Sequence, residues 1–323
     1  MACAFEDYKT MISGEVPEVF DIPQKLSGEP VTEIGEKAFY GCRGMRRVIL
    51  PRSVERVGAY AFAECRELDR FEFPADTAAI GDYAFYNCMG LKEITLGPKL
   101  TNIGYGAFKN CLELSKIIMD ITPGTPNALN AILQDEFQEV DVTLHYLDEA
   151  GQCVSEARLV FTDYQYEYVP EIEARQFNWE TYGSGDSYRI SIRDTDIDYV
   201  KYDSVFPVAM VEDDEATLFK IVAGRLCWPH KLSAESRRRY EAYVTSHLPQ
   251  MLERAIAGAG SDERSGRLFR YILDQKLLDD ADMTLALDLA QRHQKAQLTA
   301  LLMDFSGRKR NGQNTGLHSR FAL

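Results

Sequence analysis

The 323-residue chain is long enough for two or three domains, and its 45% hydrophobic and 27% charged residues fit a globular protein. A net charge of −14 argues against nucleic acid or an anionic membrane as partner, because phosphate contacts need clustered Lys and Arg. No run approaches the roughly 18 apolar residues that span a bilayer, so membrane insertion is not expected.

The start, Met1-Ala-Cys-Ala-Phe-Glu-Asp-Tyr-Lys9, lacks the basic and apolar regions of a secretory signal. A cytoplasmic location is expected, with cell surface or secretion as the alternative if a signal was removed. Residues 1–30 read as an entry cap, with Val19-Phe-Asp-Ile-Pro23 as a short strand and Gly28-Glu-Pro30 as a turn.

From Val31 four near-copies of one 23-residue unit follow without a gap, opening at Val31, Val54, Thr77 and Leu100. Ile34, Val57, Ile80 and Ile103 fall on one line, Gly35, Gly58, Gly81 and Gly104 on the next, then four Ala and Phe39, Phe62, Phe85 and Phe108. Four of the seven cysteines, Cys42, Cys65, Cys88 and Cys111, share a further line. One such unit cannot bury its own apolar edge, so the coils must stack and turn each line into a ladder through the interior. The thiols of neighbouring coils then sit about one strand spacing apart, roughly 4.8 Å. Cys is a small buried hydrophobe, and the Cys-x-x-Cys spacing of a zinc site is absent, so the cysteines read as packing.

The run Ile80-Gly-Asp-Tyr-Ala-Phe-Tyr-Asn-Cys-Met-Gly-Leu91 resembles the BspA-type leucine-rich repeats of bacteria over about residues 20–120. The resemblance implies a solenoid that binds proteins or host surfaces. Binding on the coils is expected at positions pointing away from the ladders: Arg47, Arg70, Glu93 and Lys116, with Glu72 and Thr95 beside them, and Tyr60 and Tyr83 on a neighbouring side.

Past Met119 the period stops. Asn127–Phe137 reads as a short helix capping the last coil. From Glu139 the period becomes two: Val140–Tyr146, Val154–Phe161, Tyr164–Tyr168, Tyr188–Ile192 and Ile197–Tyr202 read as strands of a sandwich-like antiparallel module. Asp194-Thr-Asp-Ile-Asp198 has the opening spacing of a calcium loop, but Tyr199 and Val205 stand where its Gly and closing Glu belong.

The last part is helical, with segments over Glu212–Cys227, Ser233–His247, from Pro249 to Gly258, Glu263–Gln275, Ala281–His293 and Ala296–Phe305. Leu252-Glu-Arg-Ala-Ile-Ala257 matches Ala286-Leu-Asp-Leu-Ala-Gln291 after 34 residues, which resembles ankyrin-type repeats and implies a protein-binding stack.

The expected fold is therefore multidomain α+β. Residues 1–136 form a leucine-rich-repeat solenoid with an N-terminal cap and a C-terminal capping helix, 137–207 an antiparallel β module, 208–305 ankyrin-like helical hairpins, and 306–323 a disordered basic tail. The five His are scattered without metal or catalytic spacing, so no catalytic residue, metal or cofactor is expected. The expected function is a non-enzymatic scaffold for a protein partner. The alternative is a cell-surface adhesin or glycan-binding protein whose export signal is absent from this chain.

Overall fold

The computed structural model describes residues 3–5, 17–134, 136–170 and 177–310. The chain forms two compact units, Met1–Asp213 and Asp214–Leu323.

In the first unit each coil contributes one short strand before its glycine and another after its buried Leu or Met. The first set, β4 (Glu29–Ile34), β6 (Arg56–Val57), β8 (Ala79–Ile80) and β10 (Asn102–Ile103), pairs in parallel, with β1 (Cys3–Phe5) outside β4 and β3 (Lys25–Leu26) folded back on it. The second set, β2 (Val19–Asp21), β5 (Arg47–Ile49), β7 (Arg70–Glu72), β9 (Glu93–Leu96) and β11 (Lys116–Ile121), also pairs in parallel. Equivalent residues pair directly, as in Arg70↔Glu93 and Glu93↔Lys116, so the expected ladders are present.

Between the two sets the phenylalanines stack. Phe39 to Phe62, Phe62 to Phe85 and Phe85 to Phe108 lie 4.9, 5.2 and 5.2 Å apart, and all four are fully buried. The glycine line is a steric requirement: a Cβ on Gly58, Gly81 or Gly104 would stand 2.7, 2.6 or 2.3 Å from backbone of the preceding coil. The cysteines do more than fill space. Cys65, Cys88 and Cys111 donate their thiol hydrogens to the carbonyls of Phe39, Phe62 and Phe85 at 3.2, 3.1 and 3.3 Å, satisfying buried acceptors from one coil to the next.

The last coil is closed by α1 (Leu129–Leu133), whose Leu129, Ile132 and Leu133 are buried, as the capping helix requires. Beyond it the structure departs from the expected free-standing sandwich. The strand β12 (Val140–Leu147) pairs in parallel with β11 from Lys116↔Asp141 to Ile121↔Tyr146, and β13 (Cys153–Phe161) returns antiparallel to it. The hairpin thus extends the coil sheet. Alternating residues suit a parallel or an antiparallel neighbour equally, and the open edge of β11 recruits the nearest strand. A separate two-stranded ribbon joins β14 (Gln165–Pro170) to β15 (Phe177–Tyr182).

Two predicted strands are helices. Tyr188–Ile192 lies in and just after α2 (Gly185–Arg189), and Ile197–Tyr202 opens α3 (Tyr199–Glu212). Asp198 caps α3 by accepting from the Lys201 amide, and Tyr199, Tyr202, Phe206 and Ala209 are buried at helical spacing. A period of two over so few residues was outweighed by this cap and longer apolar spacing. The single bridge Ile192↔Ile197 is all the strand pairing seen there. The expected boundary at 207 falls inside α3, and the units divide after Asp213.

Polar anchors hold this closing segment. The buried Arg189 guanidinium donates to five carbonyls, those of Leu133, Glu136, Gln138, Thr162 and Gly185, at 2.7 to 3.3 Å, and lies 4.7 Å from the Tyr164 ring centre. Burial pulls its pKa down. The Tyr202 hydroxyl accepts from the Val160 amide at 2.9 Å and donates to the Val160 carbonyl at 2.8 Å, covering part of the β13 edge.

The second unit is helical: α4 (Glu215–Cys227), α5 (Ala234–Ser246), α6 (Leu248–Gly258), α7 (Glu263–Asp274), α8 (Asp280–Arg292) and α9 (Ala296–Arg310). Ser233 caps α5, Asp214, Asp262 and Asp279 cap α4, α7 and α8, and Asp279 with Asp282 completes a capping box. The neighbours α6 and α7, α6 and α8, and α8 and α9 pack together, a stack of helical hairpins. Helix α9 runs to Arg310, past its predicted end at Phe305, and the rest of the predicted tail lies outside the described residues.

Candidate binding surface of the coils

The strand face carries Arg47, Arg70, Glu93 and Lys116 in one row, as the register predicts. The charges pair with each other. Glu93 accepts from Arg70 at 2.8 Å and from Lys116 at 2.9 Å, which leaves its side chain only 13% exposed, and Arg47 reaches Glu72 at 3.6 Å. Thr95 stands half-buried beside Glu72 in the adjacent row. Three cations, Arg47, Arg70 and Lys116, thus share two carboxylates, Glu72 and Glu93, and a paired surface of this kind resembles an interface rim, where each exposed pair contributes about 0–1 kcal/mol.

The tyrosines lie on the turns between the strand sets. Tyr60 and Tyr83 were expected to be exposed, but both are half-buried because their rings stack at 5.2 Å. Around them the structure gathers Tyr86, which the repeat also placed on this side, and side chains that the spacing did not single out. Tyr105, 67% exposed, meets Tyr83 edge to face at 5.6 Å, and Tyr86 does so at 5.7 Å. Lys37 sits 5.6 Å from the Tyr60 ring centre, a cation over a π face. Next to this column an amide ladder climbs the coils: Asn87 donates to Glu64 at 2.6 Å, and Asn110 donates to Asn87 at 2.8 Å. Met89 and Leu112 add exposed apolar surface.

The backbone under these residues is unusual in a regular way. Each coil enters the left-handed region twice. One position is occupied by Gly41, Glu64, Asn87 and Asn110, and the other by Lys37, Tyr60, Tyr83 and Gly106. Gly and Asn suit such a position. Tyr60 at φ 55° and Tyr83 at φ 54° do not, since a bulky residue there costs about 1–2 kcal/mol. Their stacking returns about 0.5–1.5 kcal/mol for the pair, less than the strain of two such positions, so stability gives little reason to keep Tyr at both.

Residues 20–139 match, in six copies, the family model described as the BspA type leucine rich repeat region. The solenoid is a BspA-type leucine-rich repeat region. Solved structures similar to it include a leucine-rich repeat protein from Bacteroides ovatus, 30% identical over 32% of this chain and 31% of that one, with a TM-score of 0.29. The leucine rich repeat protein of T. pallidum is 30% identical over 33% of this chain and 63% of that one, with a TM-score of 0.28. A leucine-rich repeat protein from Eubacterium ventriosum is 26% identical over 36% and 37%, with a TM-score of 0.26. The chain spans less than two thirds of the length of each of these. Comparison with curated proteins gives no match.

The BspA-type coils supply a rigid frame on which outward residues repeat at fixed intervals. Among the described residues no group of three or more His, Cys, Asp or Glu could hold a metal ion, and no helix is long and apolar enough to cross a membrane.

Proposed function

We propose that the chain is a non-enzymatic scaffold that binds a protein partner through the turn side of its coils, with Tyr60 and Tyr83 at the centre of the contact. The carrying observation is their left-handed backbone: two bulky rings are kept where Gly or Asn fits better, and backbone outliers of this kind gather at functional sites. The surrounding Tyr86, Tyr105, Asn87, Asn110 and Met89 match the composition of recognition surfaces, where Tyr supplies rigid contact area and Asn adaptable hydrogen bonds. The paired row of Arg47, Arg70, Glu72, Glu93, Thr95 and Lys116 serves as the rim. The exposed thiol of Cys153 supports action in a reducing compartment, the cytoplasm.

Affinity capture with the intact chain and with a Tyr60→Asn/Tyr83→Asn variant tests this reading. Recovery of the same proteins by both sinks the assignment. Fractionation that places the chain outside the cell removes the cytoplasmic part and favours an adhesin.

A further inference from the structure

Helix α3 (Tyr199–Glu212) buries one side and leaves the other bare. Tyr199, Tyr202, Asp203, Val205, Phe206 and Ala209 are its buried residues. At about 100° per residue, Val200, Ser204, Pro207 and Val211 fall within about 60° of one another on the opposite side, with Val208 on one flank and Met210 on the other. Val200 is 75% and Val211 82% exposed, and Val208 and Met210 are exposed as well. Pro207 is exposed too, a residue that helix interiors disfavour. A helix that closes a fold normally turns a polar side to water. Here the outer side is apolar over about three turns, the mark of a surface that meets another one.

The charges at the two ends of α3 identify that other surface. Lys201 and Glu212 are the charged side chains that α3 exposes, since Asp203 is buried. Neither forms an ion pair among the described residues, and it is the Lys201 amide, not its ammonium, that Asp198 holds. The two lie about 20° apart around the helix axis, so they share one flank, a cation at the first turn and a carboxylate at the last. A two-fold axis that crosses the middle of the face at right angles to α3 exchanges the ends of two such helices while keeping each flank on its own side. It therefore sets Lys201 against Glu212 of the partner subunit, twice over, and brings Val200 near Val211 of the partner subunit. A parallel pair would turn this flank toward the Met210 side, where neither charge meets its opposite.

We propose that this face of α3 docks antiparallel on the same face of a second copy of the chain, forming an isologous dimer that closes at two. Fourteen residues give a face about 21 Å long and 10 Å wide, small beside the roughly 800 Å² per partner of stable interfaces. The dimer therefore forms at high protein concentration and dissolves on dilution. It leaves the turn surface of the coils unused.

Sedimentation velocity of the full chain, over a series from low micromolar to near-millimolar concentration, tests this. A reversible shift from monomer to dimer is expected, weakened about tenfold by Lys201→Glu, which places like charges together at two points. Glu212→Lys should act alike. The double variant Lys201→Glu/Glu212→Lys should recover about the parent affinity, because both pairs re-form with their signs exchanged. Val200→Asp/Val211→Asp should abolish the dimer while circular dichroism stays unchanged, since both side chains face water in the monomer. A chain that stays monomeric throughout, a dimer indifferent to the valine substitutions, or a charge exchange that fails to restore association overturns the proposal.

Discussion

Between Val31 and Met119 the main core contacts recur once per coil: a Phe on the next Phe, a thiol on the preceding Phe carbonyl, a glycine against the backbone before it. From Leu133 to Asp213 the chain is fastened by contacts that occur once, of which the Arg189 guanidinium and the Tyr202 hydroxyl are the clearest. Repetition divides stability into equivalent portions between neighbours, so damage stays local to one coil. The closing segment concentrates it in a few polar groups whose partners are distant in sequence and cannot be replaced by a neighbouring copy.

Arg189→Leu should give the largest effect, at least about 4 kcal/mol, because it leaves several buried carbonyls without a donor. Chemical denaturation would measure it, and a loss under about 1 kcal/mol would remove the contrast between single anchors and repeated contacts. Phe85→Ala comes next at about 3–5 kcal/mol, since the side chain is fully buried between two other rings. Hydrogen exchange should show its loosening confined to adjacent coils.

Cys88→Ala should cost about 1 kcal/mol for the lost thiol hydrogen bond to the Phe62 carbonyl, and Cys88→Ser should recover part of it. Burial raises the Cys88 thiol, so alkylation by iodoacetamide in the folded state should be far slower there than at Cys153.

Asp213 contributes a smaller, pH-dependent effect. Burial raises its carboxyl, although Ser184 donates to it through both amide and hydroxyl. The folded state thus holds this proton more tightly than the unfolded chain, and its contribution declines as pH rises from about 4 through the raised value. Asp213→Asn should flatten that slope in denaturation curves taken across this window. The smallest shift is expected for Tyr83→Asn, within about 0.5 kcal/mol of the parent, because relief of the left-handed backbone offsets the lost stacking. A large destabilisation would make the tyrosine column a structural element and deprive the binding proposal of its main support.

The row of Arg47, Arg70, Glu93 and Lys116 was legible from the repeat because parallel register places equal positions side by side. The pairing of Glu93 was also latent there, since Arg70 and Lys116 flank it at one strand spacing. Tyr60 and Tyr83 were found by the same route, but Tyr105 was missed: it stands one position before Gly106, on a different line of the repeat, and only the turn geometry brings it against Tyr83.

The sequence by itself determined the coil period, the buried lines, the glycine line and most helix boundaries of the second unit. These features rest on contacts between nearest neighbours or within one helix, which recur at a fixed separation along the chain. Tertiary structure alone decided that β12 extends the coil sheet, that the tyrosines sit on left-handed backbone and that Arg189 gathers five carbonyls. Each of these depends on which open edge or unpaired group a distant segment meets, and a contact made once leaves no periodic trace in one dimension.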